Sequence, residues 1–469
     1  MKKQVDVVII GAGSAGLAAL KQVQKSTDSF VIVNDGPYGT TCARVGCMPS
    51  KTLIASANAF HSRNKAAAFG IHGADKLTVD IPAVLERVRN LRDRFVSGVL
   101  KATADLGDKS ISGRARLVKK NVVEVNGHEF IAKRIIIATG SQPVLPEPWR
   151  LLGDRIVTTD NFFELKDLPA KMAVIGLGAI GVEMAQALSR LGIEVHAFGK
   201  NDTIAGVRDP VVAKTVRNTL AQEFSIYTGH EVELAETANG VRVLAGPTDL
   251  KVDKVLVAIG RKPNLDDLGL NKLGVKLNNK GIPEFDRNTM QLGDLPLFIA
   301  GDVNADLSLL HEAADEGYIA GVNSVSDSLT CFKRRTPLAI VFSEPGIAAV
   351  GQRFNQLATS CLVGCVDFGT QGRALTAQTN QGVLRVYADS GDYRILGAEM
   401  CAPAAEHLAH LLALAIQRQL TVHDMLAMPF YHPVLEEGLR TALRDISVQS
   451  ATSQADLSHC NAYDIAALD

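Results

Sequence analysis

Twice in this chain a short apolar strand runs into a GxGxxG turn and then into an apolar helix. In the first copy, Val5–Ile10 leads into GAGSAG, with Gly11, Gly13 and Gly16, and an alanine-rich helix is expected to about Lys25. In the second, Lys171–Ile175 leads into GLGAIGVE, with Gly176, Gly178 and Gly181, then a helix to about Leu191 and a further strand in IEVHAF. Strand, glycine turn and helix open a dinucleotide-binding βαβ unit. The first glycine permits the tight turn, the second lets backbone approach a pyrophosphate, and the third lets helix pack on strand. The helix N-terminus then offers free N–H groups and a positive dipole end to phosphates. One such turn is a weak signal. Two in the right context imply two dinucleotides, and a flavin with a nicotinamide is a pair that can pass a hydride.

Each copy is followed by a hydrophobic strand ending in glycine, RIIIATGS (Arg134–Ser141) and KVLVAIGRKPN (Lys254–Asn264). LFIAGDV (Leu297–Val303) then places Asp302 at the C-terminal end of an apolar strand, where open α/β sheets hold ligands. A carboxylate there suits a ribityl or ribose hydroxyl. A length of 469 residues suggests roughly three domains at about 150 residues each. Lys plus Arg (49) nearly equals Asp plus Glu (50), so there is no sequence-wide basic footprint for nucleic acid or an anionic membrane. No stretch approaches the roughly 18 apolar residues of a membrane span. The opening MKKQVDVVII reads as a buried strand rather than a leader, since Asp6 interrupts the apolar run.

The chain has seven cysteines, an odd number and too few for a stapled secreted scaffold, which points to a reducing, cytoplasmic setting. Two of them, Cys42 and Cys47, share the short stretch GTTCARVGCMPSK. A zinc pair, a staple, a reactive dithiol and two core thiols all remain open on that spacing, although no further ligand flanks the pair as zinc would require. Cys361 and Cys365 flank a strand-like segment, Cys331 and Cys401 read as core thiols, and Cys460 lies in a polar tail. The run Lys333–Arg335 reads as a solvated boundary.

The ordered pieces GAGSAG, TCARVGCMPSK, ATGS, GLGAIGVE, AIGRKPN, IAGDV, LHEAADEG, PLAIVFSEPGIAAVG and HPVLEE resemble those of the flavin-dependent pyridine nucleotide–disulfide oxidoreductases. The likeness runs from Val5 to about Arg440. It implies an α/β protein with two Rossmann-like dinucleotide domains and a C-terminal mixed α/β dimerisation domain. The layout expected is an FAD domain over 1–148 and 265–332, an NAD(P) domain over 149–264, an interface domain over 333–450 and a tail over 451–469. The cofactors implied are FAD and NAD(P), with no metal, and the assembly implied is a homodimer.

The resemblance also assigns roles. Cys42 becomes the thiol that exchanges with substrate, and Cys47 the sulfur that lies against the flavin. A helix after Cys47, expected to run to about Phe69, would lower its thiol pKa. Lys51 would sit by the flavin and pair with Glu183. His432, followed by Pro433 and oriented by Glu437, would be the base that deprotonates a dithiol, acting on the other subunit's cysteines. FAD contacts are implied at Gly11, Gly13, Gly16, Asn34, Thr41, Ala115, Thr139, Gly140, Asp302 and Leu310. Nicotinamide-dinucleotide contacts are implied at Gly176, Gly178, Ile180, Gly181, Glu183, Gly199, Lys200, Val232 and Gly260.

Within the family, CMPSK and the single cysteine of the tail favour the dihydrolipoamide dehydrogenase branch, with a lipoyl-type dithiol substrate and docking on a 2-oxoacid dehydrogenase complex as a further role. Another disulfide reductase of the family, or a flavoprotein reductase of quinones or small acceptors, is the alternative. Ala43 and Arg44 replace the usual leucine and asparagine, and MPFY precedes His432 in place of a histidine-containing form. For the nicotinamide, the acid that usually repels a 2′-phosphate is replaced by Gly199, and Lys200 supplies a positive charge. Gly206 leaves the second basic position empty, with Arg208 nearby. Both NADH and NADPH are therefore expected to serve, with a slight lean to NADPH.

Overall fold

The computed structural model describes residues 2–449. The first apolar run forms the strand Lys2–Ile10, paired in parallel with Phe30–Asn34 on one side and His128–Ile137 on the other. Ile9, Ile32 and Ile135 are fully buried, as near-continuous apolar runs in a sheet covered on both faces should be. Ser110–Ser112 adds an edge, Leu297–Ile299 pairs in parallel with the end of His128–Ile137, and Val122–Val125 and Arg116–Lys119 complete seven strands. The glycine-loop helix runs Ser14–Val23, slightly shorter than expected.

The second glycine motif organises a separate parallel sheet of five strands. Its order is Ser225–Thr228, Glu194–Gly199, Lys171–Ile175, Lys254–Val257 and Ile156–Val157. The helix Ala179–Arg190 follows the loop. A short ladder, Ser141–Pro143 against Arg261–Pro263, ties together the chain segments that leave the two sheets. From Leu338 onward, five antiparallel strands form a last sheet packed against the helices Ala405–Gln417 and Glu437–Gln449.

Close approach explains how the helix Leu310–Ser324 covers the first sheet. A Cβ on Gly317 would lie 2.1 Å from the carbonyl oxygen of Ala15, so only glycine lets this helix seat on Ser14–Val23. Buried ion pairs lock the three sheets together. Arg190, with a side chain only 3% exposed, donates to Glu223, to Glu344 at 2.6 Å and to Asn58 at 2.7 Å. Asp209 caps the helix Pro210–Leu220 and also accepts from Arg385 and Tyr387 on the last sheet.

Four expectations change. The helix starting at Cys47 ends as α-helix at His61 and continues only as 3₁₀ turns through Phe69. Asp302 sits beyond the strand Leu297–Ile299, in a 3₁₀ turn after Gly301. Cys331 is exposed rather than in the core, whereas Cys401 is buried and its thiol is pushed up to about 12 by burial. The run Lys333–Arg335 is not simply solvated: Arg334 turns inward to Glu312 and Glu316 because these buried carboxylates require a counter-charge. Cys365 lies within the strand Leu362–Asp367 and Cys361 just before it. Cys460 and the tail lie outside the described residues. No described helix is long and apolar enough to cross a membrane.

Candidate active site

Both glycine loops have the shape a pyrophosphate needs. Gly11 has φ +110, and a Cβ there would lie 2.1 Å from the carbonyl of Ala138; one on Gly16 would lie 1.9 Å from the carbonyl of Gly11. Over Gly13 there is nothing within 4 Å. The second loop repeats this: Gly176 has φ +106 and would meet Ala258 at 2.2 Å, Gly181 would meet Gly176 at 1.7 Å, and Gly178 faces open space. The following helices begin without a side-chain cap, so their first N–H groups are left for an anion. Asn34 turns onto the first loop, where its Oδ1 accepts from Ala12 N–H at 3.1 Å.

Thr139 and Gly140 lie just beyond the strand His128–Ile137 and exchange hydrogen bonds with Asn264, which has crossed from the second sheet. Asp302 accepts from Ser141 at 2.7 Å, and Arg261 donates to the same serine hydroxyl at 2.8 Å. Behind it, buried Glu316 accepts from the N–H of Gly301 and from Asn304, both at 2.7 Å, and so fixes the turn that carries Asp302. Gly260 has φ +113, Ala115 is buried, and Thr41, Ile180 and Leu310 are exposed at the starts of helices.

The dithiol is assembled by two helices end to end. Thr40 caps the single turn Thr41–Arg44 by accepting from Ala43 N–H, and the helix Cys47–His61 starts at the second cysteine itself. Gly46 makes this possible, since a Cβ there would crowd Thr41 O at 3.0 Å and Cys42 Cα at 3.2 Å. Both cysteines are free thiols, and each shifts the pKa of the other. The hydrogen bond from Cys42 lowers the Cys47 thiol to about 7, with Lys51 adding its charge, while Cys42 is pushed up by the same bond and by burial. Of the two, Cys47 is the sulfur that gives up its proton more readily.

Lys51 lies one turn further along. Its Nζ donates to Glu183 Oε2 at 2.7 Å and sits 4.5 Å from the centre of the Phe342 ring. Glu183 is buried on the second glycine-loop helix and accepts from Phe342 N–H at 3.0 Å. The expected pair is therefore part of a three-way junction between both dinucleotide units and the last sheet. His432 lies at the far end of the chain, 81% exposed, with Nδ1 at 3.1 Å from both oxygens of Glu437. That contact holds Glu437 below the usual carboxylate range. Glu437 also accepts from Val434 N–H and Arg440, so the imidazole is oriented by an anchored carboxylate and presents its Nε2 side outward.

At the nicotinamide corner Gly199 ends its strand as expected, and Val232 is half-buried against the apolar cluster that holds Phe198. Lys200 differs from the expectation. It is exposed and paired with the carboxylate of Glu231, so a phosphate there would meet a lysine that already has a partner.

The family model for pyridine nucleotide-disulphide oxidoreductases matches residues 5–317, and the model for the dimerisation domain of the same enzymes matches 338–443. The chain belongs to the pyridine nucleotide-disulphide oxidoreductase family. It is 31% identical to a dihydrolipoyl dehydrogenase of Chlamydia pneumoniae over 449 residues, covering 93% of this chain and 96% of the relative. It is 26% identical to a mercuric reductase of Bacillus cereus, covering 93% of this chain and 71% of that one. A solved HOCl-induced flavoprotein disulfide reductase from Escherichia coli, in its Cu(II) complex, superimposes with a TM-score of 0.83 at 22% identity, over 94% and 99% of the two chains, and shows the shared fold. Members of this family use FAD and NAD(P), and the two loops described above fit both.

Sequence reasoning missed Phe342, Arg261 and Glu316 as parts of the site. Arg261 stands inside the motif AIGRKPN and was readable there. Phe342 and Glu316 act through contacts with distant segments, which no local pattern announces.

Proposed function

We propose that this chain is a flavin- and dithiol-dependent oxidoreductase of the dihydrolipoamide dehydrogenase type. It would move electrons between a nicotinamide dinucleotide and a dithiol or disulfide substrate. The observation that carries the proposal is the Cys42–Cys47 pair, with a stabilised thiolate at a helix start and Lys51 one turn on. FAD, when bound, supplies the two-electron carrier between nicotinamide and sulfur.

The chain's own residues would act as follows. With the pair oxidised, His432 of the partner subunit takes a proton from the substrate dithiol. The resulting thiolate attacks Cys42 Sγ; the Cys42–Cys47 bond breaks and Cys47 leaves as thiolate. The lower pKa of Cys47 makes it the better leaving group. The second substrate sulfur then displaces Cys42, which leaves the substrate as a disulfide and the pair as two sulfurs, one of them protonated. Glu437 holds the imidazole for its task. A homodimer follows from this division of labour, in keeping with the matched dimerisation domain.

Arg44 favours a second reading in which the physiological substrate is another, anionic disulfide. It follows Cys42 by two positions, and among the described residues no carboxylate lies within ion-pair distance of it. A substrate panel of dihydrolipoamide, glutathione disulfide, other disulfides and quinones decides among the readings. Titration of two new thiols after NADH reduction is expected; turnover of quinones with no new thiols would sink the dithiol mechanism.

A further inference from the structure

We propose that Glu231 sets the nicotinamide preference of this chain, by neutralising Lys200 and standing in for the carboxylate that Gly199 lacks. The inference rests on the reading of the second glycine loop as the nicotinamide-dinucleotide site.

Packing disfavours an acid at the usual place. A Cβ on Gly199 would lie 3.1 Å from Leu177 Cδ1, in the middle of the glycine loop, and 3.1 Å from Asn201 O. A side chain there needs the Leu177 side chain and the turn at Asn201 to give way by a few tenths of an ångström. The next strand offers an alternative. Gly229 N–H donates to the carbonyl of Gly199 at 3.1 Å, which brings the segment 229–231 alongside the strand end. Glu231 then reaches Lys200, and the lysine holds its carboxyl below the usual range. Both side chains are largely exposed, 70% and 74%, so a ligand can reach them.

Asp202 and Arg217 at this corner are also paired. Asp202 accepts from Thr228 at 2.8 Å and lies 3.7 Å from Arg217. Arg208 is exposed on the following turn, and among the described residues no carboxylate lies within ion-pair distance of its side chain; its backbone N–H donates to Glu399 at 2.7 Å. A 2′-phosphate brings about −1.5 to −2 charges and must compete with Glu231 for Lys200. A 2′-hydroxyl brings none and can donate to the carboxylate. The pair therefore turns the preference toward NADH, against the lean that Lys200 alone would give.

The test compares kcat/KM for NADH and NADPH in the FAD-loaded enzyme, with flavin reduction followed directly. Glu231→Gln is expected to raise the NADPH-to-NADH ratio about two- to fivefold, the scale of an exposed charge interaction, mainly through KM for NADPH. Adding Lys200→Met to that variant should erase the gain. Glu233→Gln, which removes a nearby exposed carboxylate outside the pair, should leave the ratio unchanged. A ratio unmoved by Glu231→Gln, with both nicotinamides still reducing the flavin, would overturn the inference and leave the proposed function standing. A wild-type flavin reduced by neither nicotinamide would overturn the reading of the site itself, and the inference with it.

Discussion

Cys47 shows how far a residue type at a given spacing can be read, and where geometry takes over. The motif identifies the pair, and the helix that begins at Cys47 supplies part of the acidity. The largest cause is the hydrogen bond from Cys42, which only the folded loop provides. In the reduced enzyme, alkylation of Cys47 by iodoacetamide, located by mass spectrometry, should therefore rise with pH about a midpoint near 7. Protonated sulfur below that value is unreactive and thiolate above it reacts. Cys42→Ala should move the midpoint up, and further than Lys51→Met does, since the charge of Lys51 is the smaller cause. An unmoved midpoint in Cys42→Ala would place the stabilisation elsewhere. His432 is legible in the same way, from its motif and its acid five residues on. His432→Gln should cost on the order of 10²–10⁴-fold in dithiol turnover while NADH still reduces the flavin. Equal loss in both half-reactions would remove the histidine from the role of base.

At the scale of elements, the apolar runs and glycine turns located the strands and helices well, because period and turn chemistry are local. Val5–Ile10 and Lys171–Ile175 lie in strands of the parallel sheets, as does IEVHAF from Glu194 on. The failures are instructive in their physics. A run of three basic residues looks solvated, yet Arg334 is drawn in by Glu312 and Glu316 from the helix Leu310–Ser324. Burial pushes the Glu316 carboxyl upward even with the arginine in place. Arg334→Ala would leave both carboxylates without their counter-charge, at a cost of about 3–5 kcal/mol for a broken buried pair. The loss should depend on pH in a definite direction. An acid whose folded pKa is raised binds its proton more tightly when folded, so the penalty is full above the raised value. It shrinks as pH falls through that value toward the ordinary glutamate range near about 4.3. Denaturant melts of wild type and variant at neutral and mildly acidic pH check this: a gap that widens on acidification would contradict the role of Glu316. Because Glu316 also holds the N–H of Gly301, loss of FAD should accompany the destabilisation.

For the whole molecule, the order of motifs along the chain foretold two dinucleotide-binding units and a last mixed α/β unit, but not the ties between them. Arg190 with Glu223 and Glu344, Asp209 with Arg385 and Tyr387, and Glu183 with Lys51 and Phe342 all join segments far apart in sequence. Each partner has an ordinary polar identity in its own neighbourhood, so a local reading passes over it. The same holds one level up. His432 is anchored by Glu437 yet its other face is open, and Cys42 is anchored by Thr40 and Gly46 yet awaits a base. If each active site takes its cysteines from one subunit and its histidine from the other, a heterodimer of Cys42→Ser and His432→Gln chains must contain one site with both defects and one with neither. Separately tagged chains, coexpressed and purified through both tags, should then recover about half the dithiol turnover of the wild-type dimer, although each homodimer is nearly inactive. If the base instead served the cysteines of its own chain, each site of the heterodimer would carry one defect. The mixed dimer would then be as inactive as its parents, and the division of the site between subunits would be excluded.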